Sequence, residues 1–272
     1  MKKIGFIGAG NMAEAMIRGL VKNKGISAKN IIAYDINPQR LKLMKKLYKI
    51  TIADSNKELV NKAGIIILAT KPPDVSDALG EVKNAVSKDK LLISIVAGIT
   101  SSQIEKARGK GTAVVRTMPN TPALVGAGIT AMVEGKFVRN SHKAAAEKVF
   151  KAVGEVIWIK DEDLMDAVTA LSGCGPAYFF YLVESFLVVG LELGVDWQTI
   201  LKLAGQTALG SAKLLMETKL MPHILRERVT SKGGATEAAI KIFHKKHLSE
   251  IIQEGVKAAA KRSKELHKKS GR

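Results

Sequence analysis

Short apolar runs alternate with amphipathic stretches over the first 160 residues, and this alternation predicts a layered α/β domain. Candidate strands are Ile4–Gly8, Ile31–Asp35, Ile65–Thr70, Leu91–Ala97, Ala113–Met118, Thr130–Glu134 and Val156–Ile159. Helical spacing occupies Met12–Asn23, Gln39–Leu47 and Ser101–Arg108 between them. Near-continuous Ile, Val and Leu runs suit strands covered on both faces, and helices at these intervals imply parallel crossovers. The expected architecture is a doubly wound, Rossmann-type parallel sheet with a ligand crevice at the carboxyl ends of its strands.

After Lys160 the period changes. Ala177–Leu193, Asp196–Glu217, Pro222–Thr230, Glu237–His244 and Leu248–Lys268 carry helical spacing, and no β-branched run bounded by turns remains. A boundary at Lys160-Asp161 is therefore expected, with an α/β domain over 1–160 and an all-α domain over 161–272. The longest apolar run, Phe179–Val189, is interrupted by Glu184 and Ser185 and predicts a buried helix. Its apolar residues cover most of the helix circumference, and such a helix must be enclosed. A helical half this small encloses it best by pairing with a second subunit.

Composition narrows the setting. The chain has 272 residues, 46% of them hydrophobic, enough for two modest cores or one large one. The single cysteine, Cys174, excludes an intramolecular disulfide framework and fits a reducing cytoplasm. Met1-Lys2-Lys3 leads into a strand-like run too short for a secretory core, so a soluble chain without membrane association is expected. The net charge of +18 raises nucleic acid as a partner. Against it, the lysines are spread along the chain, and no aromatic residues interleave the basic tail from Lys257 to Arg272. The charge is better explained as a lysine-rich surface, with no nucleic-acid partner, whose field favours anionic substrates and a pyrophosphate cofactor.

The first candidate chemistry is Gly8-Ala9-Gly10-Asn11-Met12-Ala13, which fits G-x-G-x-x-A between a strand and a helix. The first glycine makes the turn, the second admits pyrophosphate, and Ala13 lets the helix approach the sheet. Asp35 ends the next strand, where a carboxylate accepts from the ribose of NADH. Asn37 and Arg40 follow at once, and an arginine there can pair the 2′-phosphate of NADPH. Both dinucleotides stay open, with a slight lean to NADPH because an Arg–phosphate pair is charge-assisted. The other strand ends add Ala69-Thr70-Lys71-Pro72, Ala97-Gly98, and the stiff polar corner Asn120-Thr121-Pro122.

A second chemistry lies near the other end. Val229-Thr230-Ser231-Lys232-Gly233-Gly234-Ala235-Thr236-Glu237 sets a glycine turn and hydroxyls before a helical pattern, which makes a pocket for a small carboxylate or phosphate. The five histidines follow no catalytic or metal-ligand pattern, so no metal is expected. Cys174, flanked by glycines with no histidine near it, is read as a small helix-start residue.

These segments, together with Asp166–Tyr178, resemble the pyrroline-5-carboxylate reductases over essentially the whole chain. Departures are Cys174 where the family usually has Ser, Lys232 where it usually has Pro, and Lys219–His223 in place of a more polar pattern. The resemblance implies that hydride from a nicotinamide cofactor reduces the C5=N bond of 1-pyrroline-5-carboxylate to L-proline. It implies a carboxylate cradle at Ser231, Gly233, Gly234, Ala235 and Thr236, with the Thr236 hydroxyl at the ring nitrogen as the catalytic group. It also places cofactor on Asn56, Lys71 and Ala97, beside Gly8, Ala9, Gly10, Asn11 and Met12. A homodimer is implied, with active sites built from two chains and dimers able to gather into larger rings. The alternative is a related imine or 2-hydroxyacid reductase of the same architecture.

Overall fold

The side chains of Ile4–Ile7, Ile65–Leu68 and Leu91–Ser94 are buried throughout, because helices cover both faces of the sheet they build. The structure, a computed structural model, describes residues 2–22, 26–83, 85–108 and 111–270. Strands β1 (Ile4–Ile7), β2 (Ile31–Tyr34), β3 (Thr51–Ile52), β4 (Ile65–Leu68), β5 (Leu91–Ser94), β6 (Ala113–Pro119), β7 (Gly128–Glu134) and β8 (Gly154–Trp158) form one sheet. Its order is β3-β2-β1-β4-β5-β6-β7-β8. Ile4 of β1 faces Ile31 on one side and Ile65 on the other, so the strand order reverses at β1. That reversal opens the crevice in which doubly wound folds bind ligand.

Alternation divides the core into two layers. Phe6 packs with Met16, Ile17, Leu20 and Phe150 on one face, and Ile7 packs with Leu59, Val60, Ile66 and Leu79 on the other. The covering helices are α1 (Asn11–Lys22), α2 (Pro38–Tyr48), α3 (Asn56–Lys62), α4 (Val75–Glu81), α5 (Ser101–Arg108) and α6 (Asn140–Phe150). Local chemistry sets their starts. Asn37 caps α2 by accepting from Gln39 N at 3.0 Å and Arg40 N at 3.3 Å, with Pro38 in the first turn. Ser55 caps α3 by accepting from Glu58 N at 3.1 Å.

The doubly wound sheet differs from the expected parallel pattern at one pair of strands. The sheet is not wholly parallel, because β7 runs antiparallel to β6, from Val115 opposite Glu134 to Pro119 opposite Thr130. Only residues 120–127 join the two strands, too few for a parallel crossover. The strand β3 was not anticipated; two residues leave no alternation to read.

Beyond β8 the chain is helical: α7 (Met165–Val168), a π-turn at Thr169–Gly173, α8 (Gly175–Glu192), α9 (Trp197–Thr218), α10 (Pro222–Arg228), α11 (Ala235–Lys245) and α12 (Leu248–Ser270). Two compact units result: 1–174 with 259–272, and 175–258. Within the first unit, Ser263 Oγ donates to Asp166 Oδ1 at 2.6 Å. Within the second, Gly190 of α8 lies so close to Ile200 of α9 that a Cβ would stand 2.6 Å from Cδ1 of Ile200. In the single chain α8 presents the apolar surface that the sequence assigns to a second subunit: of its residues only Gly175 is buried, while Phe179, Phe180 and Tyr181 are exposed. The run Glu162–Glu192 is long and apolar enough to cross a membrane by length and composition alone. Its first residue, however, is tied into the sheet unit, where Glu162 pairs with Arg116 of β6.

Candidate active site

The turn after β1 is built by glycine. Gly8 has φ +96°, and a Cβ there would lie 2.6 Å from the Ala69 carbonyl oxygen, so no side chain fits. Gly10 is different: a Cβ there would meet nothing within 4 Å, which leaves open space beside the helix start. Asn11 opens α1 at the surface, Met12 packs partly on the core, and buried Ala13 lets α1 lie against the sheet. A pyrophosphate at a helix N-terminus needs this combination of close backbone and open front.

Asp35 sits at the end of β2 and braces that turn. Its Oδ2 accepts from Ala9 N at 2.7 Å and its Oδ1 from Asn37 N at 2.9 Å. Arg40 reaches the same turn, with Nε donating to the Ala9 carbonyl at 2.5 Å and Nη2 paired with Glu14. The sequence calls on Asp35, Asn37 and Arg40 for the cofactor's ribose end; the fold ties Asp35 and Arg40 to Ala9, while Asn37 joins Asp35 through its amide and caps α2 with its side chain.

The next strands end along the same edge. Asn56, only 5% exposed, donates from Nδ2 to Glu81 Oε2 at 2.8 Å, while its Oδ1 is buried without a partner. Thr70 Oγ1 after β4 is likewise buried and unpartnered. Ala69 extends the β1–β4 ladder through its amide to Ile7 O at 2.8 Å, and exposed Lys71 precedes the 3₁₀ turn that starts at Pro72. Ala97 is exposed beside buried Gly98, whose φ is +80°. Unmet buried polar atoms are uncommon in native folds. Thr70 adjoins the glycine turn, where a Cβ on Gly8 would stand 3.1 Å from its amide nitrogen, and its unmet hydroxyl fits a polar, hydroxyl-bearing ligand such as a dinucleotide.

Asn120, in the polar corner after β6, is held on both sides of its amide. Its Oδ1 accepts from Ile129 N at 3.0 Å, and its Nδ2 approaches Ser172 Oγ at 3.4 Å. The side chain thus joins the end of β6 to β7 and to the π-turn, while Pro122 lies in the 3₁₀ turn that reverses the sheet.

In the other unit, Ser231–Gly234 form a turn directly before α11. Gly233 has φ +74°, the left-handed region open to glycine. Its amide donates to Glu237 Oε2 at 3.0 Å, and the Gly234 amide donates to Ser231 O at 3.0 Å. The first intrahelical bond of α11 is made by Ala238 N to Gly234 O at 3.2 Å. The amides of Ala235, Thr236 and Glu237 therefore precede the helical ladder and face an exposed surface with the Thr236 hydroxyl. Of the amides expected in the cradle, those of Ala235 and Thr236 lie ahead of the helical ladder, and those of Gly233 and Gly234 hold the turn. Glu237 is kept below the usual carboxylate range by the Gly233 amide, followed by Lys241.

Sequence reasoning passed over several of these partners. Glu14 and Tyr48 around Arg40 carry no motif, because helix-surface residues are ordinarily solvated. Arg116, 4% exposed in the apolar strand Ala113–Pro119, was visible as a lone charge in a core run. It donates from Nη1 to Glu162 Oε1 at 3.0 Å, and Glu162 also accepts from Ser101 N at 2.8 Å and Ser101 Oγ at 2.7 Å.

Residues 162–266 match the family model described as pyrroline-5-carboxylate reductase dimerisation, and residues 3–98 match NADP oxidoreductase coenzyme F420-dependent. The chain is 42% identical over 266 residues to pyrroline-5-carboxylate reductase 1 of Bacillus subtilis, covering 97% of this chain and 89% of that protein. The solved pyrroline-5-carboxylate reductase of Coxiella burnetii superposes with a TM-score of 0.90 at 37% identity, covering 97% of this chain and 98% of that one. The pyrroline carboxylate reductase of Plasmodium falciparum, solved with NADP bound, gives a TM-score of 0.89 at 31% identity, with 98% of each chain covered. With relatives this similar over nearly its whole length, the chain belongs to the pyrroline-5-carboxylate reductase family.

Proposed function

We infer that this chain reduces 1-pyrroline-5-carboxylate to L-proline, the last step of proline biosynthesis. A bound nicotinamide cofactor would supply hydride to C5, with the C=N electron pair passing to the ring nitrogen. A cyclic iminium is already electrophilic, so the protein's task is to bind, orient and exclude water rather than to donate a strong acid. Residues 1–160 carry the cofactor and residues 161–272 the substrate and the subunit contact.

The observation that carries this reading is the pair of amides at Ala235 and Thr236 on the open N-terminus of α11, in a chain of this family. They hold the substrate carboxylate with the help of the Ser231 hydroxyl, and the helix dipole favours its charge. The Thr236 hydroxyl bonds the ring nitrogen and sets C5 toward the cofactor. Gly8–Met12 cradle the pyrophosphate. Asn56, Ala69, Thr70, Lys71, Pro72, Ala97, Gly98, Asn120 and Pro122 line the rest of the dinucleotide crevice.

Both NADPH and NADH serve, with NADPH slightly favoured and Arg40 as the partner of its 2′-phosphate. The exposed apolar surface of α8 is covered by a second copy, and dimers gather into rings. Following NADPH and NADH oxidation with 1-pyrroline-5-carboxylate at physiological salt, and identifying proline as product, tests the reading. Absence of turnover with either cofactor would refute it.

A further inference from the structure

Arg40 is not a free guanidinium waiting for a phosphate. Its Nε is committed to the Ala9 carbonyl at 2.5 Å and its Nη2 to Glu14, whose other oxygen accepts from Tyr48 Oη at 2.8 Å. The pair is largely shielded, with side chains 20% and 23% exposed, so water screens it less than a surface pair. Burial alone would raise the Glu14 carboxyl. Hydrogen bonds from Tyr48 and Arg40 and the charges of Arg40 and Arg18 outweigh it and hold Glu14 below its usual range. Glu14 is therefore an anion at neutral pH. Asp35 stands on the other side of the same turn through Ala9 N at 2.7 Å. One cation is thus shared between a backbone carbonyl and a carboxylate, with a second carboxylate close by.

We propose that Glu14, held in place by Tyr48, sets the balance between the two nicotinamide dinucleotides by drawing on the charge of Arg40. A 2′-phosphate must compete with Glu14 for the guanidinium and must approach two carboxylates. A 2′-hydroxyl needs no cation and can donate to Asp35, so it is indifferent to Glu14. The inference rests on Arg40 being the phosphate partner. It adds that the helix residue behind Arg40, and not only the acid at the end of β2, decides how large the NADPH advantage becomes. Glu14 acts through Arg40 and is a positioning residue.

The test is direct binding, without turnover. NADP⁺ and NAD⁺ are titrated calorimetrically into wild type, Glu14→Gln, Glu14→Ala and Arg40→Ala. Gln keeps the shape and can still accept from Tyr48 while its charge is gone; Ala removes the side chain, so the result does not hang on one replacement. Releasing Arg40 should strengthen NADP⁺ relative to NAD⁺ by about tenfold in both Glu14 variants, the scale of one charge-assisted contact. Arg40→Ala should weaken NADP⁺ by about tenfold or more and leave NAD⁺ within about threefold. If Arg40→Ala is selective in this way but neither Glu14 variant moves the ratio, the role of Glu14 is overturned while Arg40 keeps its own. If Arg40→Ala weakens both dinucleotides alike, the phosphate assignment falls and the proposal falls with it.

Discussion

The Glu237 carboxylate reaches back four residues to accept the Gly233 amide at 3.0 Å, and the same oxygen pairs with Lys241 Nζ at 3.1 Å. One side chain thereby fixes the left-handed glycine of the turn, while Lys241 offsets a negative charge that would otherwise oppose an anionic substrate. The turn proposed above to hold the substrate carboxylate is thus braced in advance, which would lower the ordering cost of binding.

Replacing Glu237 with Ala should raise KM for 1-pyrroline-5-carboxylate by about fivefold to tenfold with little change in kcat, because a bracing contact common to ground and transition states is lost. Gln at this position can still accept from the amide and should restore most of the loss. An unchanged KM in the Ala variant would remove Glu237 from this role.

Thr236→Val keeps the shape of the second residue of α11 and deletes its hydroxyl. The expected loss is about 10²-fold in kcat/KM, typical of a positioned hydrogen bond at the reacting centre. Calorimetry should show cofactor affinity unaltered. Wild-type kinetics in this variant would show that another group serves the ring nitrogen.

Arg116 and Glu162 form an ion pair with one partner almost fully enclosed. Arg116→Leu leaves Glu162 without its cation and should cost about 3 kcal/mol in denaturant unfolding, the range for breaking a buried pair. A loss below about 1 kcal/mol would place the pair among surface-like contacts.

Acid should also act at Glu14. Its carboxyl titrates below the usual glutamate range in the folded state, so its stabilising contribution is complete above that range and disappears as pH falls through the lowered value. Thermal unfolding of wild type should therefore drop more steeply below about pH 4.3 than that of Glu14→Gln. Parallel curves for the two proteins would contradict this.

The exposed side chains of Phe179 and Phe180 predict self-association. Light scattering at micromolar concentration should give a dimer or a multiple of it, and Phe180→Glu should shift the population towards monomer. A stable wild-type monomer would leave the apolar surface of α8 without its proposed cover.

Much of this architecture was legible because strong local signals agreed. The strand β4 is an unbroken apolar run ending at Thr70-Lys71-Pro72, and α5 begins and ends where its periodicity does, at Ser101 and Arg108. Gly8 and Gly10 were legible for the same reason, since only backbone geometry explains them. What escaped has no local signature. The antiparallel turn of β7 depends on how short residues 120–127 are, not on the pattern within the strand. Exposure of α8 is invisible to hydropathy, which reports that a surface wants cover but not which molecule supplies it. The bond from Glu237 to Gly233 looked like an ordinary polar helix start, and the Glu14–Arg40–Tyr48 contacts join residues up to 34 apart in sequence.

The two borders of the sheet have a bearing on how copies of this chain meet. On one side β3 offers Thr51 and Ile52 alone. On the other, β8 carries the charged Glu155, and its Trp158 is pinned by Glu147 at 2.8 Å beneath the ammonium of Lys143, 4.6 Å from the ring centroid. A strand from a neighbouring molecule finds little backbone to template on at β3 and charged neighbours at β8. Lateral growth of sheet upon sheet, the usual route from a β-rich fold to fibres, is discouraged at both borders. A destabilised variant should accordingly precipitate through its apolar helices, as amorphous material that does not bind amyloid dyes.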